Sequence, residues 1–255
     1  MFAHERYKAT LDLLAQKQRL TVQELQRTLR ISPATLRRDL AELEREGKVV
    51  RVHGGLMHPL ALQGESTFDE RSREAVQVKK AMAAEAAAKV AARSTVFLDS
   101  GTTCFEVGRV LMTRKDVTLI TNSIPFAHVA QHAAAKVICV GGEIRATTGA
   151  LAGAFALSWL EKLHADWAFL GATGLSENDG ASTTELSEAA VKQAMIRRAN
   201  RAVLMADGTK WDQPAAVKFA DWSEFDVWIT STAVKPRDAG AIAKLGSEVV
   251  RVKIA

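Results

Sequence analysis

Carboxylates, hydroxyls, glycines and lysines recur at the ends of apolar runs in this chain. The run "TVFL" breaks at Asp99 into Ser100, Gly101, Thr102 and Thr103. Glycine lets a backbone approach closely, hydroxyls and amides donate, and the start of a following helix favours negative charge, so this stretch suits an anion. Thr121, Asn122 and Ser123 end a second run, Gly141 and Gly142 a third, and Gly171 to Gly174 a fourth. Asp207 and Lys210, in "ADGTK", follow a fifth. The segment "STTELSEAAVKQAM" adds Glu185, Glu188 and Lys192. Glu188 and Lys192 are four apart in the acid-first order of a helical surface pair. Together these groups supply donors for a phosphate, carboxylates and an amide for sugar hydroxyls, and two lysines as positive anchors. That set describes a phosphosugar site.

Other chemistries fit less well. The chain has no G-x-x-x-x-G-K-[ST], and no G-x-G-x-x-G follows its first strand, so neither phosphate-loop nor dinucleotide fingerprints are present. Asp99, Glu185, Asp207 and Lys192 could instead serve as acid–base groups of a phosphosugar isomerase. A sensor needs the same groups to hold a polyol phosphate, so residue types alone leave sensor and enzyme open. His128 and His132 have the spacing of a metal pair but no third ligand, and no metal or cofactor is expected. Cys104 opens a helix, where a thiol pKa can be lowered, yet it reads better as a small packing residue. With Cys139 it makes neither a disulfide framework nor a four-ligand zinc site.

The elements that position these groups alternate between helices and apolar strands. Strands are expected at 95–99, 117–121, 136–140, 167–172, 201–206, 226–231 and 248–254. Most are continuous apolar runs, which suits strands covered on both faces. Alternation with helices implies a mostly parallel, layered α/β sheet, whose ligands sit outside the carboxyl ends of the strands. The suggestive residues cluster at those ends.

The first sixty residues follow a different plan. "HERYKATLDLLAQKQ" places Tyr7, Leu11 and Leu14 on one helical face, and Thr21 with Glu24 forms a capping box for a second helix. A third helix opens "SPATLRRDL", with Ser32 as N-cap, Pro33 at the first position and Gly47 as its left-handed stop. Leu36, Leu40 and Leu43 form its inward stripe, while Thr35 and Arg38 face away and Arg37 flanks them. The short connection before Ser32 is that of a helix-turn-helix, whose second helix enters the major groove. "KVVRVHGG" then reads as a hairpin wing turning at Gly54 and Gly55, with Arg51 and His53 directed toward phosphates.

Charge agrees with this division. Residues 1–58 hold eleven Lys/Arg against seven Asp/Glu, a net of +4 out of the chain's +5. A basic head on a near-neutral body suggests a polyanion partner. The expected organisation is a head at 1–57, a linker at 58–78 and an effector domain at 79–255. Nothing approaches the ~18 consecutive apolar residues of a membrane span, and no signal-peptide layout opens the chain, so a cytoplasmic location is expected. The five tryptophans read as core or subunit-interface residues.

The run "SPATLRRDLAELEREGKVVRVHGG" resembles the signature of the DeoR family of bacterial transcriptional regulators, and "DSGTT", "TNS", "GGE", Glu185-x₆-Lys192 and "ADGTK" match its effector domain in order. The resemblance implies a winged helix-turn-helix followed by an α/β domain related to ribose-5-phosphate isomerase and CoA transferases. It also implies repression through double-stranded operator DNA, a phosphorylated sugar as effector, and a homodimer or homotetramer. In it Ser32, Thr35, Arg37, Arg38, His53, Gly54 and Gly55 take the DNA-contacting positions, and an "F..R" segment, here Phe68 and Arg71, packs between the domains. Where the family often has D-x-S-K this chain reads Asp207-Gly208-Thr209-Lys210, and the glycine implies a looser loop. The small residues of "GALAGAFA" (149–156) leave that segment's contacts open.

Overall fold

The computed structural model describes residues 3–17, 19–29, 31–46, 48–52, 55–57 and 66–253. Two compact units make up the chain, Met1–Ser66 and Thr67–Ala255.

The first unit is three helices and a small sheet: α1 (Ala3–Lys17), α2 (Val22–Leu29), α3 (Pro33–Arg45) and strands β1 (Arg19–Thr21), β2 (Val50–Val52) and β3 (Gly55–Met57). Leu14, Leu25, Leu36, Leu40, Leu43 and Leu56 meet in one buried cluster, as the apolar spacing requires. The sheet order is β1-β3-β2, so the wing hairpin gains a third strand that sequence reading missed. β1 is three residues long and abuts the Thr21 cap, too short for a period to show. Leu20 pairs with Leu56 across it. Gly55 is buried, and a Cβ there would meet the Leu20 carbonyl oxygen at 2.3 Å. Gly47, His53 and Gly54, together with the Arg51 side chain, lie outside the described residues.

The second unit centres on a seven-stranded sheet in the order β15-β14-β12-β9-β4-β5-β6. Its strands are β4 (Thr95–Leu98), β5 (Thr118–Thr121), β6 (Lys136–Cys139), β9 (Ala165–Gly171), β12 (Ala199–Met205), β14 (Val227–Ser231) and β15 (Glu248–Val252). Every pairing among them is parallel. The seven expected strands are these seven, within a few residues at each end.

Period-two alternation sends side chains to both faces. Val96, Leu98, Leu119, Phe169 and Val203 pack beneath α5 (Val76–Ala88) and α6 (Thr102–Leu111). Phe97, Ile120, Leu170, Leu204 and Trp228 join the core of the opposite face, with α8 (Gly153–Leu160), α9 (Leu186–Arg197) and α10 (Pro236–Ala243). Trp167 and Trp222 are buried, whereas Trp159 is exposed on α8 with Lys162 over its ring.

Two smaller sheets are additions to the expected plan. β7 (Glu143–Arg145) pairs with β8 (Ala150–Ala152), and β10 (Gly174–Ser176), β11 (Gly180–Thr183) and β13 (Val217–Ala220) form an antiparallel sheet. The small residues of 149–156 now have a use: β8 is wholly buried, and its backbone comes so close to Gly142 that a Cβ on that glycine would lie 2.5 Å from the Ala152 carbonyl oxygen. The segment before α5 forms α4 (Phe68–Arg73) within the second unit. Phe68 packs edge-on to Phe105, ring centres 5.5 Å apart, and its amide donates to the Thr147 carbonyl.

Gly108, inside α6, faces the Phe126 ring so closely that a Cβ would sit 2.5 Å from it. Gly108→Ala is therefore expected to destabilise the second unit by about 1–3 kcal/mol despite alanine's better helix propensity. Urea denaturation checks this; unchanged or raised stability would contradict the packing.

Candidate functional site

Parallel strands end together, so the loops after β4, β5, β9 and β12 share one edge of the sheet. Asp99 follows β4 and Lys192 lies one and a half turns into α9; their side chains meet at 2.5 Å with 2% and 6% exposure respectively. The Asp99 carboxylate also accepts from the Gly171 amide at 3.0 Å, and Lys192 donates to the Gly171 carbonyl at 3.1 Å. Strands β4 and β9 and helix α9 are thus tied by one charged contact.

Glu188, one helical turn before Lys192, has different partners. Arg145 donates to it at 3.0 Å, Thr148 at 2.6 Å and Thr183 at 3.4 Å. Glu188 and Lys192 are both buried, which corrects their reading as a surface pair. The sequence showed their spacing; it could not show that Arg145, from β7, and Asp99, from β4, would each take one of them. Arg145, Thr148 and Thr183 carry no local motif, and sequence reading missed them.

The loop after β4 leads into α6, whose N-cap is Gly101. No side chain caps this end. Ser100 and Thr102 are buried and Thr103 is half-buried beside it. The amides of the first turn therefore face the sheet edge with the positive end of the helix dipole behind them.

At the end of β5, roles divide. Thr121 donates to the Leu98 carbonyl, and Ser123 caps α7 (Ile124–Val129) by accepting from the Phe126 amide, so both hydroxyls are structural. Asn122, 1% exposed, donates to the Leu151 carbonyl while its Oδ1 has no hydrogen-bond partner among the described residues. A buried acceptor left unsatisfied costs roughly 1–3 kcal/mol, which a donor from a ligand would recover.

The other expected residues are distributed around this edge. Gly141 is exposed with open space around it, and Gly142 adopts φ 151° against β8. Glu185 is the N-cap of α9, and its carboxylate makes no bond to another described residue. Asp207 accepts from the Thr209 amide at 2.7 Å, and Lys210 is half-buried. Gly208 does not loosen this loop: a Cβ would lie 2.6 Å from the Val234 amide nitrogen, so only glycine fits there. A polar cleft of about 500 Å³ lies next to this loop, between Gly208, Asp212 and Arg237, and takes in none of Asp99 to Thr103.

Cys104 sits in surroundings that do not suit a reactive thiol. Cys104 is fully buried, donates to the Phe169 carbonyl, and burial pushes its thiol well above the ordinary range. That removes the lowered pKa a helix start can give. Among the described residues no cluster of three or more His, Cys, Asp or Glu could hold a metal.

In the first unit, Ser32 caps α3 by accepting from the Thr35 amide at 3.2 Å, and Arg37 and Arg38 are exposed. Behind them Asp39 is buried and receives a two-pronged bond from Arg6 of α1, at 2.6 and 2.9 Å. The paired arginines are thus presented outward while the next residue locks the helix to α1.

The model of the DeoR-like helix-turn-helix domain matches residues 6–59, and that of the DeoR C terminal sensor domain matches residues 74–232. The chain belongs to the DeoR family of transcriptional regulators. It is 32% identical to the HTH-type transcriptional regulator GlpR of Haloferax volcanii over 98% of both chains. It is 30% identical to the HTH-type transcriptional repressor GlcR of Bacillus subtilis over 90% of this chain and 89% of that protein. Ribose 5-phosphate isomerase A of Methanocaldococcus jannaschii aligns with 52% of the chain and 53% of its own, at 19% identity and a TM-score of 0.40. The chain is a DNA-binding regulator, and these family relatives, being regulators and repressors, give the isomerase alternative no support. Among the described residues no helix is long and apolar enough to cross a membrane.

Lys192→Met would leave the Asp99 carboxylate buried without its cation, an expected loss of about 3–5 kcal/mol. Asp99→Asn with Lys192→Met should recover a large part of it. Denaturation midpoints of the single and double variants check this, and equal losses would contradict an ion pair as the link.

Proposed function

We propose that this regulator represses a carbohydrate-catabolic operon and that a phosphorylated sugar, held at the carboxyl edge of the seven-stranded sheet, modulates its operator affinity. The observation that carries the reading is the unpartnered, buried Asn122 Oδ1 beside the uncapped start of α6. A sugar hydroxyl is a donor of the kind Asn122 lacks, and a phosphate is an acceptor of the kind free amides lack. Asp99, Ser100, Gly101, Thr102, Thr103, Gly141, Gly142, Glu185, Lys192, Asp207 and Lys210 complete the effector site in this reading.

Ser32, Thr35, Arg37 and Arg38 meet the duplex through α3, with Arg51, His53, Gly54 and Gly55 forming the wing. The protein acts in the cytoplasm as a homodimer or homotetramer, setting recognition helices about 34 Å, one DNA turn, or a multiple of it apart. Phe155 and Trp159, four apart on α8 and both exposed, support self-association. Effector binding shifts the regulator between states only by its differential affinity for them.

Two outcomes are expected, one from fluorescence anisotropy on the operator and one from thermal shift. Arg38→Ala loses about 1–3 kcal/mol of discrimination between operator and unrelated duplex. The same variant keeps wild-type thermal protection by sugar phosphates. Equal weakening of both would contradict the separate sites. A panel of pentose and hexose phosphates that protects nothing would contradict the effector class.

A further inference from the structure

Lys79 has no part in the Asp99–Lys192 or Arg145–Glu188 contacts. It lies in the first turn of α5, only 8% exposed, and its ammonium donates to the Arg71 carbonyl. An ammonium has three donors. No other acceptor and no carboxylate within ion-pair distance serves it among the described residues. Lysines are almost never this buried unless paired. Lys192, also buried, obeys that rule through Asp99.

Topology decides what Lys79 is near. α5 precedes β4 and packs on α6, β14 and β15. Its C-terminal end feeds the start of β4, so its first turn lies at the carboxyl edge of the sheet. That is the edge where α6 begins and where the Asp207–Lys210 loop follows β12. The electrostatics agree. Burial pushes the ammonium below the ordinary lysine range, Glu74 and Asp207 pull it back up, and Lys210 and Arg71 add to the depression. The backbone shows a further departure: Ala75, immediately before α5, is held in the left-handed region at φ 47°. A non-glycine residue there is strained, and such strain gathers at ligand sites. Here it makes the turn from α4 into α5 that sets the Arg71 carbonyl against Lys79.

We infer that Lys79 is the cationic anchor for the phosphate of the effector, acting with Lys210 and the uncapped amides of α6. This rests on the proposed sugar-phosphate reading and assigns its anionic end to one place. A phosphate monoester dianion supplies the acceptors that Lys79 lacks, and its charge relieves the crowding of Lys79, Lys210 and Arg71. Asn122 and the carboxylates are left to the hydroxyls.

The test uses the full chain and two kinds of probe, inorganic phosphate and a panel of pentose and hexose phosphates that includes ribose 5-phosphate, followed by thermal shift and titration calorimetry. Lys79→Met removes the charge with little loss of volume, and Lys79→Arg retains it. Lys79→Met is expected to fold with a midpoint at or above wild type, since a poorly paired buried charge is gone. It should bind inorganic phosphate roughly 10- to 100-fold more weakly than wild type, and Lys79→Arg should recover most of that loss. A folded Lys79→Met that binds both probes as wild type does overturns the anchor and leaves the sugar-phosphate reading intact. Lys79-dependent binding of inorganic phosphate without binding of any sugar phosphate supports the anchor and overturns the sugar. A wild-type chain that binds neither probe overturns both.

Discussion

The Asp99–Lys192 contact is the constraint on which the effector-domain site depends. A carboxylate and an ammonium are held together where water is nearly absent, so neither can be removed alone without leaving a bare charge. Because Gly171 binds both, donating to one and accepting from the other, the contact fixes the end of β4, the end of β9 and the second turn of α9 in one geometry. Everything else at the edge is placed from there. The loop after Asp99 must turn into α6, and Glu188, one turn before Lys192, must find its cation on β7. Burying ions seldom stabilises a fold by itself, and their persistence here at a sheet edge suits a place where a charged ligand binds.

The head obeys a similar rule on a smaller scale. Arg6 and Asp39 form the buried fork that sets α3 on α1, and the two preceding arginines are left in solvent with no described carboxylate upon them. Cations that are not consumed by the fold are available to phosphates and base edges, which is the use the proposed reading gives Arg37 and Arg38. Duplex binding through such cations displaces counterions, so in the proposed reading operator affinity falls steeply as ionic strength rises.

Much of this was legible in the sequence because local rules dominate there. Ser32-Pro33 and Thr21 with Glu24 are caps, and each forms as read. The seven parallel strands announced themselves as continuous apolar runs. What escaped was set by distance along the chain. Glu188 is claimed by Arg145, 43 residues away, and Lys192 by Asp99, 93 residues away, so a four-residue spacing said nothing about either partner. β1 and the strands of the two small sheets are three or four residues long, below the length at which alternation is visible. Gly208 looked like slack because glycine lacks a side chain; the crowding by Ala233 and Val234 exists only once the chain has folded. Lys79 stands beside Lys80 in the sequence, and only the fold shows that the first is buried and the second exposed.

The central claim is that one chain holds two ligands in two places: a duplex on α3 and its wing, and a sugar phosphate at the carboxyl edge of the large sheet. Hydrogen–deuterium exchange on the full chain, with operator DNA and a sugar phosphate added separately, addresses it most directly. The account requires the duplex to protect amides of 32–38 and the wing, and the sugar phosphate to protect those of 99–105, 171–174 and 207–210. Protection of α3 by the sugar phosphate, with none at the loop after β4, would contradict it.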